Sequence, residues 1–198
     1  MAAARIPRAA RPDWRGRTVV CIASGPSLTE GDCELVRASG HPTVVTNTTF
    51  RLAPWASVLF AMDMKWWQAH GQEVVESAFA GRKVSTAYGA HKYGAETTYG
   101  VGWWRGFGNS GACALSFAVE GRPDKVLMLG YDCQETGGRK HWHADHGPGL
   151  SNARSMPQWP RAFKDAAAHA RGRKVRVVNV SRETSLTCFD RGTLEAEL

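Results

Sequence analysis

The densest chemistry in the chain is the run His141-Trp142-His143-Ala144-Asp145-His146-Gly147-Pro148, which places three of the seven histidines and one carboxylate within six residues. Three readings of it stay open. Imidazoles and a carboxylate at His141, His143, Asp145 and His146 are ligand types for zinc or a redox metal, although the spacing matches no established zinc signature. As an acid–base site, one histidine takes a proton from an attacking hydroxyl, and Asp145 or Asp132 sets its tautomer. A polar surface loop with chance histidines would look the same. A second set of polar residues follows the apolar runs: Ser24-Gly25-Pro26-Ser27, Asn47-Thr48-Thr49, Asp63, Asn109-Ser110-Gly111 and Tyr131-Asp132. Several are good helix N-caps, and a helix N-terminus with free N–H groups suits a phosphate or carboxylate. None forms a Walker A loop or a G-x-G-x-x-G, and each alone also serves as a simple strand-to-helix turn.

These residues need a scaffold, and the apolar pattern supplies one. Thr18 to Ala23, Thr43 to Thr46, Ser57 to Ala61, Lys125 to Gly130 and Lys174 to Val180 read as short strands, with Lys83 to Thr86 a weaker one. Continuous apolar runs bounded by turn residues suit strands buried on both faces. Asp32 to Ala38, Met64 to Phe79 (broken at Gly71), Ser110 to Glu120 and Gln158 to Ala170 read as helices. The alternation predicts an α/β protein with a single Rossmann-like domain, a mainly parallel sheet and helices on both faces. In such sheets ligands bind beyond the carboxyl ends of the strands, where the polar turns fall. Tyr88 to Gly108 reads as a long surface loop. Its Tyr88, Tyr93, Tyr99 and Trp104 are acceptor-binding candidates, since aromatic faces stack on sugars or bases, though loop packing explains them equally well. Trp55, Trp66 and Trp67 are expected in the core.

Composition narrows the class. Of 198 residues, 43% are apolar and 22% charged, which excludes disorder, collagen and coiled coil. Apolar runs are far shorter than the ~20 residues of a membrane span, and no signal peptide is apparent. The five cysteines are scattered without a C-x-x-C pair, which fits a reducing cytoplasm better than a disulfide framework. The net charge of +7 points to an anionic partner. Five arginines lie in residues 1–17, expected to be a basic flexible tail before a nucleotide-binding domain at 18–198. No nucleic-acid-binding motif is present.

The strand running into Gly25-Pro26-Ser27-Leu28, with Asp32 beyond it, resembles the opening of bacterial lipooligosaccharide sialyltransferases. Asn47, Ser110-Gly111, the run from Lys125 to Asp132, the histidine loop, Asn179 and Ser185-Leu186 resemble later elements of that family. The G-P-S-L turn and the strand to Gly130-x-Asp132 also resemble the related 6-hydroxymethylpterin pyrophosphokinase-like family. Small phage- and prophage-encoded proteins look closest, through Ala53-Pro54-Trp55, the Trp66-Trp67 pair and the H-W-H-x-D-H loop. The sialyltransferase resemblance implies a metal-independent transfer from a CMP-sugar or other nucleotide-sugar to a hydroxyl acceptor. Ser24, Gly25, Asn47, Asn109 and Ser110 would hold the nucleotide, with Pro26, Ser27, Asp63, Gly111 and Asp132 beside them. His143 or His146 would be the general base.

Three other functions remain open. A pyrophosphokinase-like transferase would use Mg²⁺ on Asp63 and Asp132. A phage DNA-modifying enzyme would take DNA as acceptor in the host cytoplasm. A non-catalytic nucleotide-binding or virion assembly protein would bind without turnover. A homo-oligomer is compatible with all of them.

Overall fold

Along the first strand, side chains alternate between two apolar environments, so both faces of the sheet must be covered. A computed structural model describes residues 6–144, 150, 153 and 155–198. In it β1 (Thr18–Ile22) sends Val19 and Cys21 into one buried cluster and Val20 and Ile22 into another. The chain continues through α1 (Glu30–Ser39), β2 (Thr43–Thr46), β3 (Val58–Phe60), α2 (Met64–Glu76) and β4 (Arg82–Ser85). It then forms β5 (Glu96–Thr97), α3 (Ser110–Glu120), β6 (Lys125–Leu129) and α4 (Trp159–Gly172). It ends in β7 (Arg176–Asn179), β8 (Asp190–Arg191) and α5 (Leu194–Glu197). Among the described residues the eight strands make one sheet, ordered β5-β4-β3-β2-β1-β6-β7-β8. Every pairing is parallel. The single Rossmann-like α/β sheet with helices on both faces is thus the architecture observed.

Val36 of α1 and Trp67 and Val74 of α2 bury into one face, while α3 and α4 cover the other. Every residue of α3 is buried, and its Gly, Ala, Ser and Cys side chains let the helix lie close to the strands. The helix α2 is unbroken at Gly71. That glycine serves close approach instead, because a Cβ there would stand 2.6 Å from the Tyr93 ring. Trp67 is fully buried as expected, and its indole N–H donates to the Ala61 carbonyl at 2.9 Å and the Ser85 hydroxyl at 3.0 Å. The long 88–108 segment contains a 3₁₀ helix over Tyr88–Tyr93 and the edge strand β5.

Residues 6–17 correct the flexible-tail expectation. Ala9 is buried and its N–H donates to the Thr97 carbonyl of β5 at 2.8 Å, while the Thr97 N–H donates to the Pro7 carbonyl at 2.8 Å. Trp14 packs edge-on against Phe117 at 6.1 Å, and Arg11 pairs with the buried Glu120 at 3.1 Å. Among the described residues no helix is long and apolar enough to cross a membrane.

Candidate active site

The strand order reverses between β1 and β6: the chain leaves β1 towards β2 on one side and later returns to β6 on the other. The diverging connections leave a crevice at that point, outside the carboxyl ends of the strands. A cleft of about 340 Å³ occupies it. One wall is polar, from Ser24 and Gly25 after β1, Asn47 after β2, Asp63 after β3, and Asn109, Ser110 and Gly111 at the start of α3. Tyr131, Met156, Trp159 and Phe163 add an apolar part to the lining. Lys65, Lys140 and His141 also face the cleft.

The turn after β1 owes its shape to Asp132. That carboxylate is fully buried and accepts from the Ser27 N–H at 2.8 Å and the Ser27 hydroxyl at 2.9 Å. Burial pushes its pKa up, and the Ser27 bonds partly offset that. Gly25 donates its N–H to the Gly130 carbonyl at 2.8 Å, so the two strand ends lie backbone to backbone. A Cβ on Gly25 would fall 2.1 Å from Asp132 Oδ1 and 2.5 Å from Gly130 O. Gly25→Ala is therefore expected to destabilise the fold by about 1–3 kcal/mol, since a buried carboxylate and a main-chain carbonyl must both move. Urea unfolding of the variant measures this, and an unchanged midpoint would refute the lock. Arg182 reinforces the same turn from outside, donating to the Ser27 carbonyl at 3.1 Å and forming a two-pronged pair with buried Asp32.

Pro26, Ser27 and Asp132, expected at the nucleotide, therefore build the turn and lie behind the cleft wall. Ser24 remains in the wall, its hydroxyl 3.1 Å from that of Thr49. Asn47 holds a left-handed backbone at φ 49°, a region asparagine tolerates better than most residues. Among the described residues its buried Oδ1, beside the cleft, has no hydrogen-bond partner. A buried carbonyl oxygen left unpaired is costly, so this atom can accept an N–H or O–H that enters the cleft. Asp63 stands at the rim, and partial burial raises its carboxyl above the ordinary range. Asn109 caps α3, its Oδ1 accepting from the Ala112 N–H at 3.1 Å. The Tyr131 hydroxyl donates to the Gly111 carbonyl at 3.2 Å, fixing the start of α3 against the end of β6.

The histidine loop lies over the β1 turn. The Trp142 N–H donates to the Ser24 carbonyl at 3.2 Å, and this bond brings His141 to the cleft. His143 stacks on His141, ring centroids 5.0 Å apart and planes 5° from parallel, and its Nδ1 is 2.6 Å from the Ala144 carbonyl. His143 does not line the cleft. Asp145 and His146 lie outside the described residues. Among the described residues no group of three His, Cys, Asp or Glu side chains is placed to hold a metal ion.

The four aromatic acceptor candidates separate, and none lines the cleft. Tyr93 stacks on Trp67 at 6.0 Å and Trp104 on Phe60 at 6.0 Å, which corrects both to packing residues. Tyr88 and Tyr99 stay exposed at 59% and 70%. Lys65, Lys140 and Arg182 were not among the residues expected from sequence. Lys140 directly precedes the histidine run, whereas Lys65 and Arg182 carry no local signal.

No protein-family model matches the chain, and no curated protein matches it. Among solved structures it is similar to UDP-glucose 4-epimerase from Brucella ovis in complex with NAD, at 16% identity and a TM-score of 0.32. That likeness covers 84% of this chain and 51% of the other, so the chain spans about half the length of the epimerase.

Proposed function

We propose that the chain is a transferase acting on a nucleotide-activated donor, a nucleotide-sugar first among them, with a hydroxyl acceptor. The observation that carries this reading is the cleft at the strand-order reversal, into which the capped N-terminus of an eleven-residue helix opens. The α3 N-terminus at Ser110 and Gly111 suits a phosphate, and Lys65 and Lys140 add positive charge as the leaving phosphate departs. Asn47 Oδ1 offers an acceptor for a hydroxyl or amine of the nucleotide. His141, which lines the cleft, takes the proton from the acceptor hydroxyl, a role expected from sequence of His143 or His146. The displacement is in line: the acceptor oxygen bonds to the sugar carbon as the bond to the phosphate oxygen breaks. The resemblance to lipooligosaccharide sialyltransferases makes a CMP-sugar the first donor to try.

Under the Mg²⁺-dependent pyrophosphokinase reading, Asp63 and Asp132 would bind the ion. Both Asp132 oxygens accept bonds from Ser27, which favours the metal-independent reading. A thermal-shift panel of CMP, UDP, GDP, ADP and their sugar conjugates tests the proposal. A ligand at 100 times its Kd stabilises by about 2.7 kcal/mol through mass action. Mass spectrometry of the best binder with simple hydroxyl acceptors then follows its consumption, which should persist in EDTA. A panel without a stabilising nucleotide would overturn the reading, and turnover abolished by EDTA would favour the pyrophosphokinase alternative.

A further inference from the structure

Two large aromatic side chains stand in solvent beside the cleft, and nothing in the proposed transfer uses them. Tyr88 follows β4 and Tyr99 follows β5, so both sit at the carboxyl edge of the sheet. Their rings lie edge to face with centroids 6.3 Å apart, and the His91 ring is 6.1 Å from Tyr88. The 3₁₀ turn that carries Tyr88 packs against the start of α2: a Cβ on Gly89 would stand 3.0 Å from Met64 Sδ, one residue beyond the cleft-lining Asp63. The surroundings are cationic. Arg8 and Lys92 are exposed, and Arg8 Nη2 lies 3.7 Å from where a Cβ on Gly100 would be. The nearest acid in sequence, Glu96, is already taken by Arg82 at 2.7 Å.

We infer that Tyr88 and Tyr99 form a stacking platform for single-stranded nucleic acid, with Arg8 and Lys92 contacting its phosphates. Exposed aromatic faces between cations are what single-strand binders combine, because every base offers a π-face and every linkage a negative charge. A bare carbohydrate would use the rings but not the charges of exposed Arg8 and of Lys92, whose Nζ lies 4.8 Å from the Tyr93 ring centroid. A duplex would meet the cations but keep its bases stacked away from the rings.

Fluorescence anisotropy with labelled dT20 tests this directly, with a 20-base-pair duplex as competitor. Binding that weakens as salt rises is expected, together with poor competition by the duplex. The double variant Tyr88→Ala/Tyr99→Ala, which removes only exposed rings, should weaken dT20 binding by roughly tenfold or more. Arg8→Ala should reduce the slope of log affinity against log salt by about 0.7. Melting of each variant checks the fold. No binding at low salt, equal competition by duplex, or dT20 affinity unchanged in the double variant would each overturn the inference. So would sedimentation showing self-association lost on removing the two tyrosines. The nucleotide panel reads a different site, so its outcome and this one are independent.

Discussion

Replacing Glu120 by alanine is expected to cost about 3 kcal/mol of stability and to release residues 6–17. Glu120 ends α3 with its side chain fully buried. Arg173 reaches it at 2.7 Å, His169 at 3.0 Å and Arg11 at 3.1 Å, and Arg11 also donates to its backbone carbonyl at 2.6 Å. Burial holds the His169 imidazole below its ordinary pKa despite the neighbouring carboxylate, so at neutral pH the two arginines supply the countercharge. The side chains of Arg11 and Arg173 are 34% and 38% exposed and regain water when the carboxylate goes. The loss therefore falls at the low end for a broken buried pair. For a chain of this size about 3 kcal/mol corresponds to a melting temperature lower by roughly 6–12 °C. Trypsin should also cut after Arg8, Arg11 and Arg15 faster than in the parent protein, because Arg11 is one of the residues, with Trp14, that tie the segment to α3. Glu120→Ala with unchanged melting and unchanged cleavage would show that Trp14 and the Thr97 backbone bonds hold the segment unaided.

That buried anchor also explains what the sequence could and could not disclose. β1, β6 and α3 were legible because strands and a helix buried all round consist of continuous apolar residues, and burial is written in residue type. β8 was not, since Asp190 and Arg191 are both exposed and pair through main chain alone. The first 17 residues read as a tail because five arginines dominate them, yet Ala9, Arg11 and Trp14 dock. The cleft was legible as a row of strand ends, because parallel topology brings those ends together whatever the side chains are. Which residues line it was not. Asp132 meets Ser27 across 105 residues and Arg182 meets Asp32 across 150, and such distances are closed only by the fold. Which of the described histidines His141 and His143 reaches the cleft depends on loop direction, and the Trp142–Ser24 backbone bond brings His141 there.

That direction carries the largest functional effect. His141→Ala is expected to lower kcat by about 10²–10⁴-fold, the usual worth of a positioned general base. Nucleotide stabilisation should survive, since Asn47 and the α3 N-terminus are untouched. The readout is turnover of the nucleotide-sugar that stabilises the protein most, measured beside its thermal shift. Added imidazole should restore part of the rate to His141→Ala, because a free base then enters the space the side chain left. His143→Ala should lose much less, as that ring stacks against His141 at 5.0 Å and does not line the cleft. Glu120→Ala lies at the far end of α3 and serves as the control for general destabilisation: at temperatures well below its melting point it should keep its rate per folded molecule. Full turnover by His141→Ala, or a larger loss in His143→Ala, would remove His141 as the base and leave the cleft a binding site whose chemistry must come from another residue.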